Sequence, residues 1–232
     1  MHFYIVRHGA PDYKTDSLLE SGKLQAQAVS ERMVRVNPDL VFSSPLGRAV
    51  ETASYTAKRL NKEVLIADWA NEIGARTEFP DGVSKTFCQA PANLLCTKEN
   101  EKLNVEESLQ LDVFTPRYRT EYKRISDGTD RLLSQLGFER NSEGHYDFTH
   151  HVCDKAVLFC HCIMMKAMLS HLFSIPPHKI ISTVFPNFTS VTLIELREEK
   201  DTMPRLCVLG DVGHLYEANL PVPNYMFRDE LF

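Results

Sequence analysis

Three short stretches of this chain place polar side chains with useful chemistry directly after apolar runs. Arg7-His8-Gly9 follows Phe3-Tyr-Ile-Val6, Ser43-Ser44-Pro45-Leu46-Gly47-Arg48 follows Leu40-Val-Phe42, and His161 follows Ala156-Val-Leu-Phe-Cys160. Each piece has a use in phosphoryl transfer. A neutral imidazole beside two guanidiniums is held unprotonated and is available as a nucleophile on phosphorus. Arginine offers planar, bidentate donors suited to phosphate oxygens. A helix amino terminus adds free backbone N–H groups and positive potential. Gly9 permits close backbone approach at a turn.

The elements that must position these groups can be read from the same rows. Residues 3–6 form a short apolar run suited to a strand buried on both faces of a parallel sheet. Ser17-Leu-Leu-Glu20 has the pattern of a capping box and opens a helix running to about Val36. Asp39–Ser43 reads as the next strand, and Ser44 as the N-cap of a helix with Pro45 at its first position, ending near Leu60. Val64–Ala67 is a third strand, and the alternation predicts an α/β fold with a mostly parallel sheet.

The rhythm breaks between residues 70 and 152, where no strong strand is predicted and several segments from Val105 to Leu136 read as helical. It resumes with a strand over Lys155–Cys160, a helix over Ile163–Phe173, and strands over Thr189–Glu195 and Arg205–Leu209. The expected architecture is one domain over 1–232, a three-layer α/β sandwich with a mostly parallel central sheet. Residues 73–152 are expected to form a helical insertion that acts as a lid. Open parallel sheets bind ligands outside the carboxyl ends of their strands, which is where Arg7, His8 and His161 fall.

Taken together and in this order, these motifs resemble the histidine phosphatase superfamily, in the branch that includes cofactor-dependent phosphoglycerate mutase. The resemblance is carried by Ile5-Val-Arg-His-Gly9, by Leu19–Gln27 and above all by Phe42–Ala53. Glu72 in Asn71-Glu-Ile-Gly74, His161 in Leu158-Phe-Cys-His161, and the tail pieces Asn187–Ser190 and Gly213–Leu215 extend it.

The resemblance implies a phosphatase that hydrolyses a small phosphomonoester through a phosphohistidine on His8. Arg7, Arg48 and His161 would neutralise the phosphoryl oxygens, Glu72 would serve as the proton donor, and neither a metal nor a cofactor is implied. This chain departs from the family pattern in three places. The loop after Gly9 reads Ala10-Pro-Asp-Tyr-Lys-Thr-Asp16, where family members often carry Thr or Ser and then Asn. Cys162 stands where a glycine is common, and Glu72 lacks the Trp-Glu-Gly that often follows. Glu78 and Asp81 are the substitute acids. Arg76, Lys85 and Arg117 are candidate holders of a second anionic group on the substrate.

Composition bounds the alternatives. The 232 residues are 43% hydrophobic and 25% charged with a net charge of −5, which argues against disorder, a nucleic-acid partner or a polybasic membrane anchor. An anionic substrate must therefore be captured by a local cluster of cations. No apolar stretch approaches the roughly 20 residues of a membrane helix. MHFYIVRHG has no signal-peptide pattern, so six reduced cysteines in a cytoplasmic protein are expected.

A phosphoglycerate-type mutase is the alternative enzyme, but Ile73–Pro80 does not reproduce the aromatic and basic segment that follows the acid in that pattern. A metal-binding protein built on His150, His151, Cys153, Cys160, His161 and Cys162 has ligand types suited to zinc at unsuitable spacing. All five matched side chains are present, which counts against a non-catalytic binder of phosphorylated ligands.

Overall fold

An opening strand that is apolar on both faces must be covered on both faces, and the fold does this with helical layers. The computed structural model describes residues 1–74, 76–78, 82, 84–87 and 91–222, with the backbone alone for 76, 84 and 85. In chain order the elements begin β1 (His2–Arg7), β2 (Pro11–Asp12), β3 (Ser17–Leu18), α1 (Glu20–Val36), β4 (Leu40–Ser43), α2 (Gly47–Leu60) and β5 (Val64–Ile66). A 3-10 turn over Asp68–Ala70 leads to β6 (Arg76–Glu78), β7 (Ser84–Thr86), α3 (Ala92–Leu95), α4 (Val105–Leu109) and α5 (Pro116–Gln135). Then come β8 (Phe138–Arg140), β9 (Tyr146–Phe148), β10 (Lys155–Cys160), α6 (Cys162–Phe173), α7 (Pro177–Thr183), β11 (Val191–Glu195), β12 (Arg205–Asp211) and α8 (Gly213–Glu217).

Six strands form one sheet in the order β12-β11-β1-β10-β4-β5. The pairs β1–β10, β10–β4 and β4–β5 are parallel, whereas β11 runs antiparallel to β1 and to β12. This is the mixed α/β sheet, mostly parallel, that the alternation of elements predicts. Period-two alternation divides the core. Phe3, Ile5, Ala156, Leu158 and Cys160 face the layer of α5, α6 and α7. Val6, Val41, Val157, Phe159 and Val191 face Val29 and Met33 of α1 and Ala53 and Ala57 of α2.

Parallel register sets the level of the site. Arg7 pairs with Cys160, and Phe159 with Ser43, so the three central strands end together. His8, Ser44 and His161 are each the first residue beyond a strand end.

Two expected helix starts are corrected. Ser17 does not cap α1; it pairs with Asp12 in the β2–β3 ladder, and the Leu18 N–H donates to Glu51. Helix α1 therefore begins at Glu20 behind Leu19, which has no capping side chain. Ser44 is not the N-cap of α2 either, because that helix begins at Gly47 behind Leu46; the Ser44 hydroxyl accepts from the Leu46 N–H at 3.3 Å and lies 2.7 Å from His161 Nε2. The capping box occurs instead at Asn104, which accepts from the Glu107 N–H at 2.9 Å while the Glu107 carboxylate accepts from the Asn104 N–H at 3.0 Å.

Between residues 70 and 152 the described backbone includes two small hairpins, β6–β7 and β8–β9, that were not expected. The 20-residue α5 is capped by Thr115 with Pro116 at its start, and it buries Tyr118, Ile125, Leu132 and Leu133 in the core against α6. Among the described residues no helix is long and apolar enough to cross a membrane.

Candidate active site

His8 is 2% exposed. Its Nδ1 lies 2.7 Å from the Gly9 carbonyl oxygen. A carbonyl only accepts, so Nδ1 carries the proton and Nε2 keeps the lone pair. Burial holds the ring well below the usual histidine range, and His161, Arg7 and Arg48 add to the depression against the opposing pull of the Gly9 carbonyl. A neutral imidazole with a fixed tautomer results. The backbone of the turn is fixed by His8 N–H donating to Cys160 O and Gly9 N–H to Thr52 Oγ1. Only glycine fits at position 9, because a Cβ there would stand 2.6 Å from the Gly22 carbonyl oxygen.

Arg7 is 5% exposed and donates from one terminal nitrogen to the Pro186 carbonyl at 2.7 Å. Its guanidinium stacks over the Phe188 ring, 4.1 Å from the centroid, and the same ring lies 5.5 Å from that of His8. Arg48 is the second residue of α2 and pairs with the Asp16 carboxylate. The Nε atoms of both arginines are buried with no hydrogen-bond partner.

His161 is fully buried, with its ring 5.0 Å from that of His8. Its Nε2 lies 2.7 Å from Ser44 Oγ, and its Nδ1 is buried without a partner. Burial first, then Arg48 and Arg7, depress its pKa well below the usual value. Arg7 Nε, Arg48 Nε and His161 Nδ1 are thus three buried nitrogens without hydrogen-bond partners on side chains around His8.

Glu72 reaches the site from a different direction. Its carboxylate accepts from the Ile73 N–H at 3.0 Å and from the Ile163 and Met164 N–H groups at 3.2 and 2.8 Å. It thus caps α6, the helix whose N-cap residue is His161. The loop leading to Glu72 is clamped by Arg124, which donates to the Trp69 and Asn71 carbonyls. The Trp69 indole fills the space over Gly128, where a Cβ would come within 2.2 Å of it.

The structure therefore brings Arg7, His8, Arg48 and His161 together, with Glu72 in a loop whose carboxylate caps the helix that follows His161. Glu78 is exposed on β6, Arg117 is exposed on α5, and Asp81 lies outside the described residues, as do the side chains of Arg76 and Lys85. Sequence reasoning missed Asp16, Ser44 as a partner of His161, and the Pro186–Phe188 cradle of Arg7. Asp16 and Ser44 stood within quoted motifs, but hydrogen bonding across the fold has no local pattern.

The alternative metal set does not gather. The Cys160 thiol is buried on the α6 side of the sheet, where burial and then Glu72 push its pKa up. Among the described residues, the ligand atoms that do converge belong to Glu143, His145 and Asp201.

Residues 3–78 match the model of the histidine phosphatase superfamily, branch 1. That stretch carries β1 to β6, including Arg7, His8, Arg48 and Glu72. Solved structures of the same fold include three phosphatase or related chains. A phosphoserine phosphatase from Entamoeba histolytica, in complex with 3-phosphoglyceric acid, is 22% identical with a TM-score of 0.61. That alignment covers 92% of this chain and 98% of that one. A mycobacterial glucosyl-3-phosphoglycerate phosphatase complexed with VO3 is 20% identical, with a TM-score of 0.56 and coverages of 91% and 99%. A Bacillus stearothermophilus protein, YhfR, is 19% identical, with a TM-score of 0.60 and coverages of 92% and 98%. Among curated proteins none matches this sequence.

Proposed function

We propose that the protein is a phosphatase that hydrolyses a small phosphomonoester through a phosphohistidine on His8. The observation that carries this reading is the geometry of His8. The Gly9 carbonyl fixes the proton on Nδ1 and leaves Nε2 as the nucleophile, among two guanidiniums and a second buried imidazole.

In the first step Nε2 forms a bond to phosphorus while the bond to the leaving oxygen breaks. Glu72 supplies a proton to that oxygen, and the unpartnered donors of Arg7, Arg48 and His161 take the phosphoryl oxygens. In the second step water attacks the phosphohistidine, Glu72 takes the proton back, and inorganic phosphate leaves with His8 restored. Two guanidiniums supply the charge that metal ions supply in other phosphoryl-transfer enzymes, so the residues present suffice without a metal.

The substrate is expected to be a small phosphorylated metabolite. The phosphatases of similar fold, named for phosphoserine and glucosyl-3-phosphoglycerate, support that class. Residues 73–152 are assigned to the lid, with α5 anchoring it to the core through Tyr118 and Ile125. Arg76, Lys85 and Arg117 are its candidate contacts to the rest of the substrate. A panel of phosphomonoesters, run without added metal beside His8→Ala, tests the reading. Turnover of at least one member by the wild type and by none in the folded variant is expected; full turnover by His8→Ala would overturn it.

A further inference from the structure

The turn between β2 and β3 ends in Asp16, which contacts Arg48. Asp16 has φ of +51°, in the left-handed region, which aspartate tolerates better than most residues because its side chain bonds locally. Its carboxylate is divided between two donors. Oδ2 accepts from the Gly47 N–H at 2.6 Å, and Oδ1 pairs with a terminal nitrogen of Arg48.

Gly47 opens α2, whose own N-cap residue, Leu46, has no side-chain acceptor, so Asp16 does the capping from the preceding loop. The approach is close enough that a Cβ on Gly47 would stand 2.2 Å from the Asp16 carbonyl oxygen. A helix amino terminus and an arginine are what an incoming phosphate would use, and here the chain's own carboxylate already holds both. One edge of the Arg48 guanidinium is taken by Asp16, while its Nε remains buried and unpartnered.

Resting on the phosphatase reading, we propose that Asp16 is a positioning residue that tunes phosphate affinity. It pins Arg48 by one terminal nitrogen, leaving the Nε edge for the phosphoryl oxygens. Its negative charge also offsets one of the two guanidiniums, so the site holds the phosphate dianion loosely and the product leaves. A like charge about 6 Å from a bound anion weakens its binding by roughly threefold in a water-like dielectric and by roughly a hundredfold at an effective dielectric of about 20. A change of about tenfold lies within that range.

The test is titration calorimetry of the full-length wild type, Asp16→Asn, Asp16→Ser and Arg48→Ala with inorganic phosphate and with orthovanadate, alongside thermal melts. Asp16→Asn is expected to bind both anions about tenfold more tightly, with the gain shrinking as salt is raised, whereas Arg48→Ala binds more weakly. Asp16→Ser keeps an acceptor for Gly47 without the charge and gives the same reading if the Asn variant melts early. A folded variant that binds phosphate equally or more weakly than wild type would overturn the proposal, because Asp16 would then serve only to hold Arg48 and α2. Failure of the wild type itself to bind either anion would instead overturn the phosphatase reading.

Discussion

The two sides of the site are held by different physical means. Arg7, His8, Ser44 and His161 leave three adjacent parallel strands at one level, and backbone hydrogen bonds tie them together: His8 N–H to Cys160, Ser44 N–H to Phe159. A slip in that register would turn every buried side chain to the wrong face, so the geometry is set by the sheet itself. Glu72 reaches its place through side chains: Trp69 against Gly128, Arg124 on two carbonyls, and its own carboxylate on α6. The first arrangement is rigid because it is the fold. The second depends on the docking of α5, and it is where substrate-dependent differences should be concentrated.

The strongest way to sharpen this contrast is to remove a guanidinium. Arg7→Ala or Arg48→Ala should lower kcat by about 10²–10³-fold, the cost of one transition-state donor, and should do so alike for every substrate. Steady-state kinetics on alkyl and aryl phosphates checks this; a loss confined to one class would break the contrast.

Glu72→Gln should behave differently. Alkyl phosphates, whose leaving oxygen needs a proton, should slow by about 10²-fold or more, and aryl phosphates far less. The amide also presents N–H groups where α6 presents N–H donors, so the melting temperature should fall. Equal losses on both substrate types would leave Glu72 as a helix cap alone and move the acid role elsewhere.

A third test uses pH. His8 and His161 are depressed chiefly by burial, and His214, which bonds Thr189 next to His8, is lowered to about 4 by burial and then Arg32, against Asp211 and Glu217. Each binds protons more weakly folded than unfolded, so their contribution is complete above about pH 6.5, the unfolded value, and is lost as pH falls towards the folded values. For His214 the loss is on the order of 3 kcal/mol once the pH has fallen through its folded value. Melts from pH 7.5 to 4.5 should therefore decline below about 6.5, and His214→Gln should flatten part of the decline. Activity should hold to below pH 6.5 as well, because His8 stays neutral. A melting temperature unchanged from pH 7 to 5 would contradict this.

The smallest expected effect is Gly128→Ala, which places a Cβ against Trp69 and should cost about 1–3 kcal/mol by overpacking. Chemical denaturation gives the loss, and kinetics should show alkyl phosphates suffering more than aryl ones as Glu72 shifts. A neutral substitution would show that the α5 contact does not position the acid.

The contrast also explains what the sequence made legible. Strands β1, β4 and β10 are apolar runs ended by polar residues, and the side chains that follow them could be named because chain order and spatial order coincide at a strand end. Asp16 capping α2, Ser44 on His161 and Arg124 clamping Trp69 join residues 31, 117 and 55 positions apart, and no periodicity records them. The two displaced helix starts, the capping box at Ser17 and the N-cap at Ser44, have the same cause. Ser17 and Ser44 have the right residue type, but Ser17 is held in a ladder, and Ser44 serves the turn at Leu46 and the His161 ring ahead of a helix that starts at Gly47. Arg124 carries no local signal of its role, because its carbonyl partners come from the loop before Glu72.

The central claim is nucleophilic attack by His8, and the most direct measurement is the site of a trapped phosphoryl group. Turnover of a labelled phosphomonoester, quenched in base and mapped by peptide, should yield an acid-labile, base-stable phosphate on residues 1–14, absent from folded His8→Ala. Label on the peptide carrying His161, or steady turnover with no label on any histidine, would contradict the account.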